Sequence, residues 1–209
     1  MELKTLFATT ASEITPKLIE WRRHIHSNPE LSYREFKTMK FICDELQVMG
    51  VKFKSGVGET GVVATIEGIN PNLRTIALRS DHDALPITES NEVEYCSKNN
   101  GVMHACGHDA HTASLLGAAY ILNSYKGEWE GTVRLIFQPG EERLPGGATL
   151  MVKDGVLKNP IPSHIIGQHV FPDLPSGHIG IRSGLYMASA DELHLTINGK
   201  GGHAALPKG

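Results

Sequence analysis

The chain has 209 residues, of which 40% are hydrophobic and 21% are charged. This length and composition can bury one sizeable core, which excludes a disordered tail and a small disulfide-stabilised protein. The 20 Lys and Arg against 23 Asp and Glu give a formal net charge of −3. That balance does not indicate a surface for nucleic acid or for an anionic membrane.

The beginning of the chain and its cysteines predict a cytoplasmic protein. The first residues include Glu2 and Lys4, with too short an apolar stretch for a secretory signal. No apolar run approaches the roughly 20 residues that a membrane span needs. Cys43, Cys96 and Cys106 are odd in number and lack a C-x-x-C spacing. We therefore expect reduced thiols, with neither a disulfide framework nor a zinc ribbon.

Helical and strand-like patterns alternate along the chain. Helices are indicated by apolar residues at helical spacing and by start and stop residues, such as Pro16 after Thr15 and Gly50 after Met49. Strands are indicated by short β-branched runs between turn residues. The predicted elements are a helix from Pro16 to about Ser27, a helix over 36–49, strands at 62–66 and 75–78, a buried helix over 109–125, a strand at 132–137, a short helix over 148–154 and a strand at 164–167. This alternation predicts an α/β fold with a mostly parallel mixed sheet flanked by helices.

The sequence pattern changes near residue 187. From Leu193 to Ile197, apolar and polar residues alternate with the period of a half-exposed antiparallel strand. We therefore predict a first domain over residues 1–186 and the beginning of a second, smaller domain over 187–209.

A glycine-rich segment from Gly56 to Gly61 matches the pattern G-x-G-x-x-G of dinucleotide-binding proteins. That function requires a helix to begin at the glycines, so that its N-terminus holds the pyrophosphate. A β-branched run follows here instead. The segment is therefore interpreted as a turn.

A cluster of metal-binding residue types precedes the long buried helix. Residues 104–111 hold a thiol and three imidazoles, and Cys106 and His108 can face one ion from an extended loop. The helix N-terminus is expected to lower the pKa of the thiol. A buried cysteine beside a hydrogen-bonded histidine is the alternative, and the density of donors favours the metal. His111 is expected to pack or to support a ligand, and the role of His104 stays open.

Three predicted strands are followed by acids or by an imidazole. Asp81 and Asp83 follow the strand at 75–78, Glu141 and Glu142 follow the strand at 132–137, and His169 follows the last strand. An aspartate pair can also cap a turn, and glutamate pairs are common on surfaces. The carboxyl ends of parallel strands are where α/β sheets place ligands, so we expect these side chains to converge. Of two adjacent glutamates, one can bind metal while the other acts on the water beside it.

The other histidines have no such partners in sequence. They are interpreted as ordinary surface or core residues: His24, His26, His164, His178 and His194. The chain has neither a G-x-S-x-G motif nor a Walker loop, and the carboxylates around Cys106 disfavour a cysteine-protease nucleophile.

A series of motifs runs through the whole chain in a fixed order. They are Trp21 to His26, Asn28 to Leu31, Arg79 to Pro86, Met103 to Thr112, Gln138 to Glu142, His169 and Gly199 to Pro207. Together they resemble the M20 metallopeptidase family, in the amidohydrolase branch that contains hippurate hydrolases, N-acyl-amino-acid deacylases (aminoacylases) and plant auxin-conjugate hydrolases. The resemblance implies a catalytic α/β domain with two divalent ions, manganese or zinc, and an inserted α+β lid or dimerisation domain.

The resemblance also assigns roles to individual residues. It implies that Cys106 bridges the two metals and that His108, Glu142 and His169 are further ligands. Glu141 would be the general base, which takes a proton from the attacking water and passes it to the leaving amine. The substrate would be a small N-acyl amino acid, split into a carboxylic acid and a free amino acid.

Two further roles and three departures complete the comparison with the family pattern. Asp83 would orient a metal ligand, and His203 would contact the substrate or stabilise the oxyanion, often across a dimer. His82 stands where relatives carry an apolar residue, and Pro207-Lys208 replaces Pro-His. The family also uses a later histidine ligand and a full lid, which this sequence does not contain. We therefore expect the N-terminal part of an amidohydrolase, impaired or inactive by itself.

Two alternatives remain open. One is a dipeptidase or carboxypeptidase of the same clan, although the spacing of Cys106 and His108 is typical of the amidohydrolase branch. The other is a non-catalytic remnant that binds metal. In each case the expected partners exclude nucleic acid and membranes, and a homodimer through the lid domain is implied by the family alone.

Overall fold

The fold is described by a computed structural model, which covers residues 2–187, 193–203 and 205. Its elements are α1 (Leu3–Ser27), α2 (Phe36–Val48), β1 (Lys52–Val57), β2 (Gly61–Glu67), β3 (Thr75–Asp81), α3 (His108–Ser124), β4 (Thr132–Gln138), α4 (Gly147–Lys153) and β5 (His164–Gly167). The alternation predicted from the sequence is confirmed. Among the helices of the described residues, none combines the length and the apolar character that crossing a bilayer requires.

The strands form one mixed sheet in the order β1-β2-β4-β3-β5. β2 pairs antiparallel with both β1 and β4, whereas β3 pairs parallel with both β4 and β5. In the parallel part, Asp81 lies opposite Gln138 and Arg79 lies opposite Gly167. The carboxyl ends of β3, β4 and β5 therefore meet at one edge of the sheet.

Alternate residues of the strands contribute to two separate apolar clusters. Leu135 and Phe137 of β4 pack in the larger cluster with side chains of α1, α2 and α3. Ile136, between them, packs in the smaller cluster with Met151 of α4. Burial of a side chain of this size contributes about 1.5–3 kcal/mol. The sheet is thus covered by helices on both faces, as an α/β fold requires.

Helix α1 begins earlier than the sequence predicts. The helix starts at Leu3, and Pro16 lies inside it rather than at its first turn. A proline inside a helix removes one backbone hydrogen bond to the residue four positions earlier. Pro16 and Ser12 both lie on the exposed side of α1, where water can bind the freed carbonyl. The expected helix start at Pro16 is therefore wrong, and the expected end near residue 27 is confirmed.

The segment from Gly56 to Gly61 contains the turn of the β1-β2 hairpin, as predicted, with its first two residues at the end of β1 and Gly61 at the start of β2. Gly58 has φ +62°, and a Cβ at this position would lie 2.8 Å from Cγ of Met151. β1 itself has no counterpart among the predicted elements. Of its six residues only Val57 is buried, so its sequence carries no apolar alternation.

The chain divides into two units at Val170 and Phe171. The described residues of the second unit contain neither helix nor strand, and Leu193, Leu195 and Ile197 are exposed. The expected strand there is therefore wrong for the described residues. The predicted domain boundary at residue 187 falls inside the second unit and stays a prediction. Pro207-Lys208 lies outside the described residues.

Candidate metal centre

The acidic, imidazole and thiol side chains expected to converge do meet at the carboxyl edge of the sheet. They come from the end of β3, from the segments that follow β3, β4 and β5, and from the residues around the start of α3: Asp81, Asp83, Cys106, His108, Glu141, Glu142 and His169. His203 belongs to the second unit, where its Nδ1 accepts a hydrogen bond from the backbone nitrogen of Ala205 at 3.2 Å.

Two groups of potential ligands share His108. The donor atoms of Cys106, His108 and His169 lie within 4.8 Å of one another, and Sγ of Cys106 is 3.3 Å from Nε2 of His169. The donor atoms of His108, Glu141 and Glu142 also lie within 4.8 Å of one another. Nε2 of His108 is 3.8 Å from Oε1 of Glu142. The imidazole of His108 therefore lies between the thiol and the two glutamates.

Asp83 contacts both His108 and the backbone of Glu142. Its Oδ1 is 3.1 Å from Nδ1 of His108, so the ring presents Nε2 to the centre. Its Oδ2 accepts hydrogen bonds from the backbone nitrogen of Glu142 at 3.0 Å and from the hydroxyl of Ser32 at 2.6 Å. Such hydrogen-bonded carboxylates fix the ring orientation of metal-binding histidines.

Asp81 contacts a further histidine, His111, in a third group of potential ligands. Its Oδ1 is 2.6 Å from Nδ1 of His111, and its Oδ2 accepts a hydrogen bond from Arg79 at 2.7 Å. The donor atoms of Asp81, His108 and His111 also lie within 4.8 Å of one another. All three side chains are buried.

Gly107 makes the approach of Cys106 to His169 sterically feasible. It caps α3 with φ +82°, a conformation that side chains rarely adopt. A Cβ at this position would lie 2.4 Å from Cγ2 of Val170. Glycine therefore lets the segment after β5 pack against the start of α3.

The loop that carries the two glutamates is held by residues that the sequence analysis did not identify. Glu35 is fully buried, and its carboxylate accepts hydrogen bonds from the backbone nitrogen of Gly140 at 2.8 Å and from the hydroxyl of Thr60 at 2.5 Å. The hydroxyl of Tyr33 donates to the backbone oxygen of Arg143 at 2.7 Å. No sequence pattern links these residues, because they are up to 110 positions apart.

The charges of the protein itself do not favour a thiolate at Cys106. Burial, and after it the nearby carboxylates of Glu142, Glu141 and Asp81, raise the pKa of the thiol to about 12. The expected lowering of the pKa by the helix N-terminus is therefore wrong for the protein groups alone. Only a positive charge placed among these carboxylates would reverse the shift.

The nearby acids and imidazoles also titrate away from their usual ranges. Burial raises the pKa of Glu141, and the neighbouring carboxylate of Glu142 adds to the rise. Burial opposes ionisation of Asp81, yet the hydrogen bond from His111 and the charge of Arg79 lower its pKa to about 2. Burial likewise opposes protonation of His108, but Asp83 and Asp81 raise its pKa overall.

The donor set fits a divalent metal. Nε2 of His108 is buried and has no hydrogen-bond partner in the described part of the chain, although it faces the carboxylate of Glu142. Buried polar atoms are normally hydrogen-bonded or coordinated. Thiolate, imidazole and carboxylate together are typical ligands of zinc, and carboxylates also suit manganese.

Three further histidines differ from one another in their surroundings. His26, interpreted from the sequence as an ordinary surface or core residue, is buried and has partners that are distant in sequence: Nδ1 is 2.8 Å from Oδ2 of Asp109 and Nε2 is 3.1 Å from Oε1 of Glu89. The rings of His82 and His104 are buried without a hydrogen-bond partner among the described residues. Burial lowers the pKa of His104 to about 4 and also lowers that of His82.

Comparisons with known proteins identify the family to which the chain belongs. The sequence profile of peptidase family M20/M25/M40 matches residues 77–206. The chain is 46% identical to the N-acyl-L-amino acid amidohydrolase of Geobacillus stearothermophilus, over 93% of this chain and 52% of that protein. It is 44% identical to thermostable carboxypeptidase 2 of Saccharolobus solfataricus, over 99% of this chain and 52% of that protein.

A solved structure shares the fold of this chain. The YXEP protein of Bacillus subtilis, described as a dinuclear metal-binding peptidase of the M20 family, superposes with a TM-score of 0.78 at 44% identity. The match covers 83% of this chain and 48% of that one. The chain thus spans about half the length of the relatives it matches. Since the family profile covers more than half of the chain, the protein belongs to peptidase family M20/M25/M40.

Proposed function

We propose that this chain carries much of a metal-dependent centre that hydrolyses the amide bond of N-acyl amino acids. The observation that carries the proposal is the convergence of Cys106, His108, Glu142 and His169 at the carboxyl edge of the sheet. Relatives at 44–46% identity are named N-acyl-L-amino acid amidohydrolase, N-acetyl-L-cysteine deacetylase and IAA-amino acid hydrolase. These names support amide hydrolysis on a small acylated amino acid.

In this proposal four side chains hold two divalent ions, manganese or zinc. Cys106, His108, Glu142 and His169 would hold the ions, and His108 is the residue that the two groups of donors share. When bound, the ions supply Lewis acidity that polarises the amide carbonyl and makes the attacking water more acidic. Asp83 orients His108 through its hydrogen bond to Nδ1.

Glu141 is the proposed general base. Burial and the adjacent Glu142 raise the pKa of its carboxyl group, which brings it closer to neutral pH, where a base accepts and releases a proton most effectively. Its backbone lies beside that of Glu142, so it can reach the attacking water while Glu142 binds metal. Glu141 then passes the proton to the leaving amine. His203 is proposed to contact the substrate.

Cleavage of peptides is a second candidate function. It is favoured by the two relatives in Saccharolobus solfataricus that are named thermostable carboxypeptidases and are each 44% identical to this chain. The two candidates share one centre and one mechanism. They differ in the group on the acyl side of the amide bond, so a substrate panel separates them.

The test is turnover of the purified chain supplied with Zn²⁺ or Mn²⁺, on N-acetyl amino acids and on dipeptides. We expect hydrolysis of the N-acetyl amino acids that is slower than in the longer relatives and that falls by a further factor of about 10²–10⁴ in E141Q, while bound metal is retained. Preferential dipeptide cleavage would favour the peptidase. Metal binding with no turnover on either class, even after the C-terminal segment of a relative is added in trans, would contradict the proposal and favour a non-catalytic metal-binding remnant.

The proposal also covers location and assembly. A cytoplasmic location is supported by the three free cysteines, Cys43, Cys96 and Cys106. A homodimer through the lid domain is proposed on family grounds alone. Size-exclusion chromatography with light scattering tests the dimer directly, since a monomer at all concentrations would contradict it.

A further inference from the structure

The hydrogen bonds of His111 determine which tautomer its ring adopts. The backbone nitrogen of Val170 is 2.9 Å from Nε2 of His111. A backbone N–H can only donate, so Nε2 accepts with its lone pair. Nδ1 therefore carries the proton, which it donates to Oδ1 of Asp81 at 2.6 Å. Both ring nitrogens are thus occupied by protein groups, which leaves no lone pair of His111 for a metal.

The residue that His111 binds is adjacent to a proposed ligand. Nδ1 of His169 lies 2.7 Å from the backbone oxygen of Val170, so this nitrogen carries a proton and donates it. The lone pair of Nε2 of His169 is then free, and it lies 3.3 Å from Sγ of Cys106. The N–H of Val170 bonds to His111 and its carbonyl bonds to His169. Because His111 fixes the N–H of Val170, the carbonyl of Val170 is also held in place, and it orients the imidazole of His169.

The anchor of this arrangement lies in the sheet. Asp81 is the last residue of β3, and its side chain is held by Arg79, which in turn donates to Oε1 of Gln138 on β4 at 2.9 Å. Thr112 donates its hydroxyl to the backbone oxygen of Asp81 at 2.8 Å. His111 and Asp81 are each 1% exposed. The segment after β5, by contrast, is exposed, so its position depends on such contacts.

We propose that Asp81 and His111 form a clamp on the backbone of Val170 that positions His169 toward Cys106, and that His111 is not a metal ligand. The clamp consists of the Asp81 carboxylate, the His111 ring and the Val170 N–H. In this inference His111 acts by positioning His169, so the inference rests on the proposed role of His169 as a metal ligand. Hydrogen-bonded groups behind metal ligands typically contribute 10- to 100-fold to metal affinity.

Two amide variants separate the two halves of the clamp. In H111N the amide occupies the place of Nδ1, so the bond to Asp81 is kept and the bond to Val170 is lost. In H111Q the longer side chain places its carbonyl near the position of Nε2, where it can still accept from Val170. His164 is exposed at the start of β5, the strand that leads to Val170, and H164N is the control for a histidine-to-asparagine change outside the clamp.

The first readout is ¹⁵N NMR of the histidine rings in the metal-free chain, which does not depend on activity. We expect a protonated Nδ1 and an unprotonated Nε2 in His111, with a through-hydrogen-bond coupling between that Nε2 and the amide nitrogen of Val170. On titration with Zn²⁺, the coupling persists and the resonance of Nε2 of His169 shifts. A His111 Nε2 that lacks the coupling, or that loses it when zinc binds, would overturn the proposal.

The second readout is zinc affinity, measured by competition with a chelator. We expect a 10- to 100-fold loss in H111N, a smaller loss in H111Q, and the affinity of the original chain in H164N. Equal affinity of H111N and the original chain would overturn the clamp. The variant C106S distinguishes failure of the metal centre from failure of the clamp. If the original chain binds zinc no more tightly than C106S, the proposed metal centre is wrong. The NMR coupling then still tests the hydrogen bond between His111 and Val170.

Discussion

Asp83 contacts His108 through Oδ1, at 3.1 Å from the ring nitrogen Nδ1. Its other oxygen accepts a hydrogen bond from the backbone nitrogen of Glu142 at 3.0 Å. One carboxylate therefore holds the side chain of one proposed ligand and the backbone of another. The three residues belong to different parts of the fold, namely the segments after β3 and β4 and the start of α3.

Replacing Asp83 by Asn should disturb both contacts. An amide can accept from Glu142 N–H only by turning its NH₂ group toward His108, which would place the proton of His108 on Nε2. We expect zinc affinity to fall by about 10- to 100-fold in D83N, measured by chelator competition. D44N, at an exposed position on α2, is the control and should bind normally. An unchanged affinity of D83N would show that Asp83 does not orient the centre.

Glu35 should stabilise the loop that presents the two glutamates. E35A leaves the backbone N–H of Gly140 and the hydroxyl of Thr60 buried without an acceptor, which typically costs about 1–3 kcal/mol. We expect this loss in the free energy of unfolding, measured with urea. E20A, on the exposed face of α1, should change the free energy by less than about 0.5 kcal/mol. A similar result for both variants would contradict the role of Glu35.

Gly107 and Gly101 offer a matched pair of substitutions. Both have positive φ, +82° and +78°, but only at Gly107 would a Cβ collide, at 2.4 Å from Val170. In G101A the free energy of unfolding should fall only by the cost of placing a residue with a Cβ in the left-handed conformation, about 1–2 kcal/mol. In G107A the free energy of unfolding, measured with urea, should fall by more than in G101A, and zinc should bind more weakly than to the original chain. Equal effects of the two substitutions would mean that the contact with Val170 is not needed.

His26 predicts a pH dependence of stability. Its hydrogen bond to Asp109 raises its pKa, burial opposes the rise, and Glu89 adds to it, while Arg22 opposes it. A raised pKa in the folded state means that the charged ring contributes fully below the unfolded value of about 6.5. The contribution is lost as the pH rises through the folded pKa. The stability difference between the original chain and H26Q should therefore shrink as the pH rises.

The measurement is urea unfolding of both proteins from pH 6 to pH 9. Groups that titrate equally in both chains cancel in the difference. In an E89Q background the difference should depend less on pH, because one of the two acidic partners of His26 is gone. A difference that stays constant over the whole range would contradict the account of His26.

Much of the fold follows from local patterns. The helical spacing of apolar residues in α2 and the β-branched runs of β2, β3 and β4 are sufficient to locate these elements. β1 was not predicted because it is an outermost strand of the sheet and is largely exposed, so its residues need no apolar alternation. The helix start at Pro16 was predicted wrongly because a proline on the exposed side of a helix destabilises the helix less than a proline in the core.

Some residues of the candidate site could likewise be predicted from local patterns, and others could not. Glu141, Glu142 and His169 could be found because each follows a strand with an apolar core. Glu35 and His26 could not, because their partners lie 105 and 83 positions away and only the fold brings them together. The pKa of Cys106 depends on the same long-range geometry: the helix N-terminus is visible in sequence, whereas the surrounding carboxylates are not.

The central claim is that Cys106, His108, Glu142 and His169 bind metal together. The most direct test is the metal content per chain, measured by elemental mass spectrometry after incubation with Zn²⁺ or Mn²⁺ and removal of the excess, with C106A beside the original chain. We predict that the original chain retains metal and that C106A loses it. Equal metal content in the two proteins, or none in either, would contradict the account.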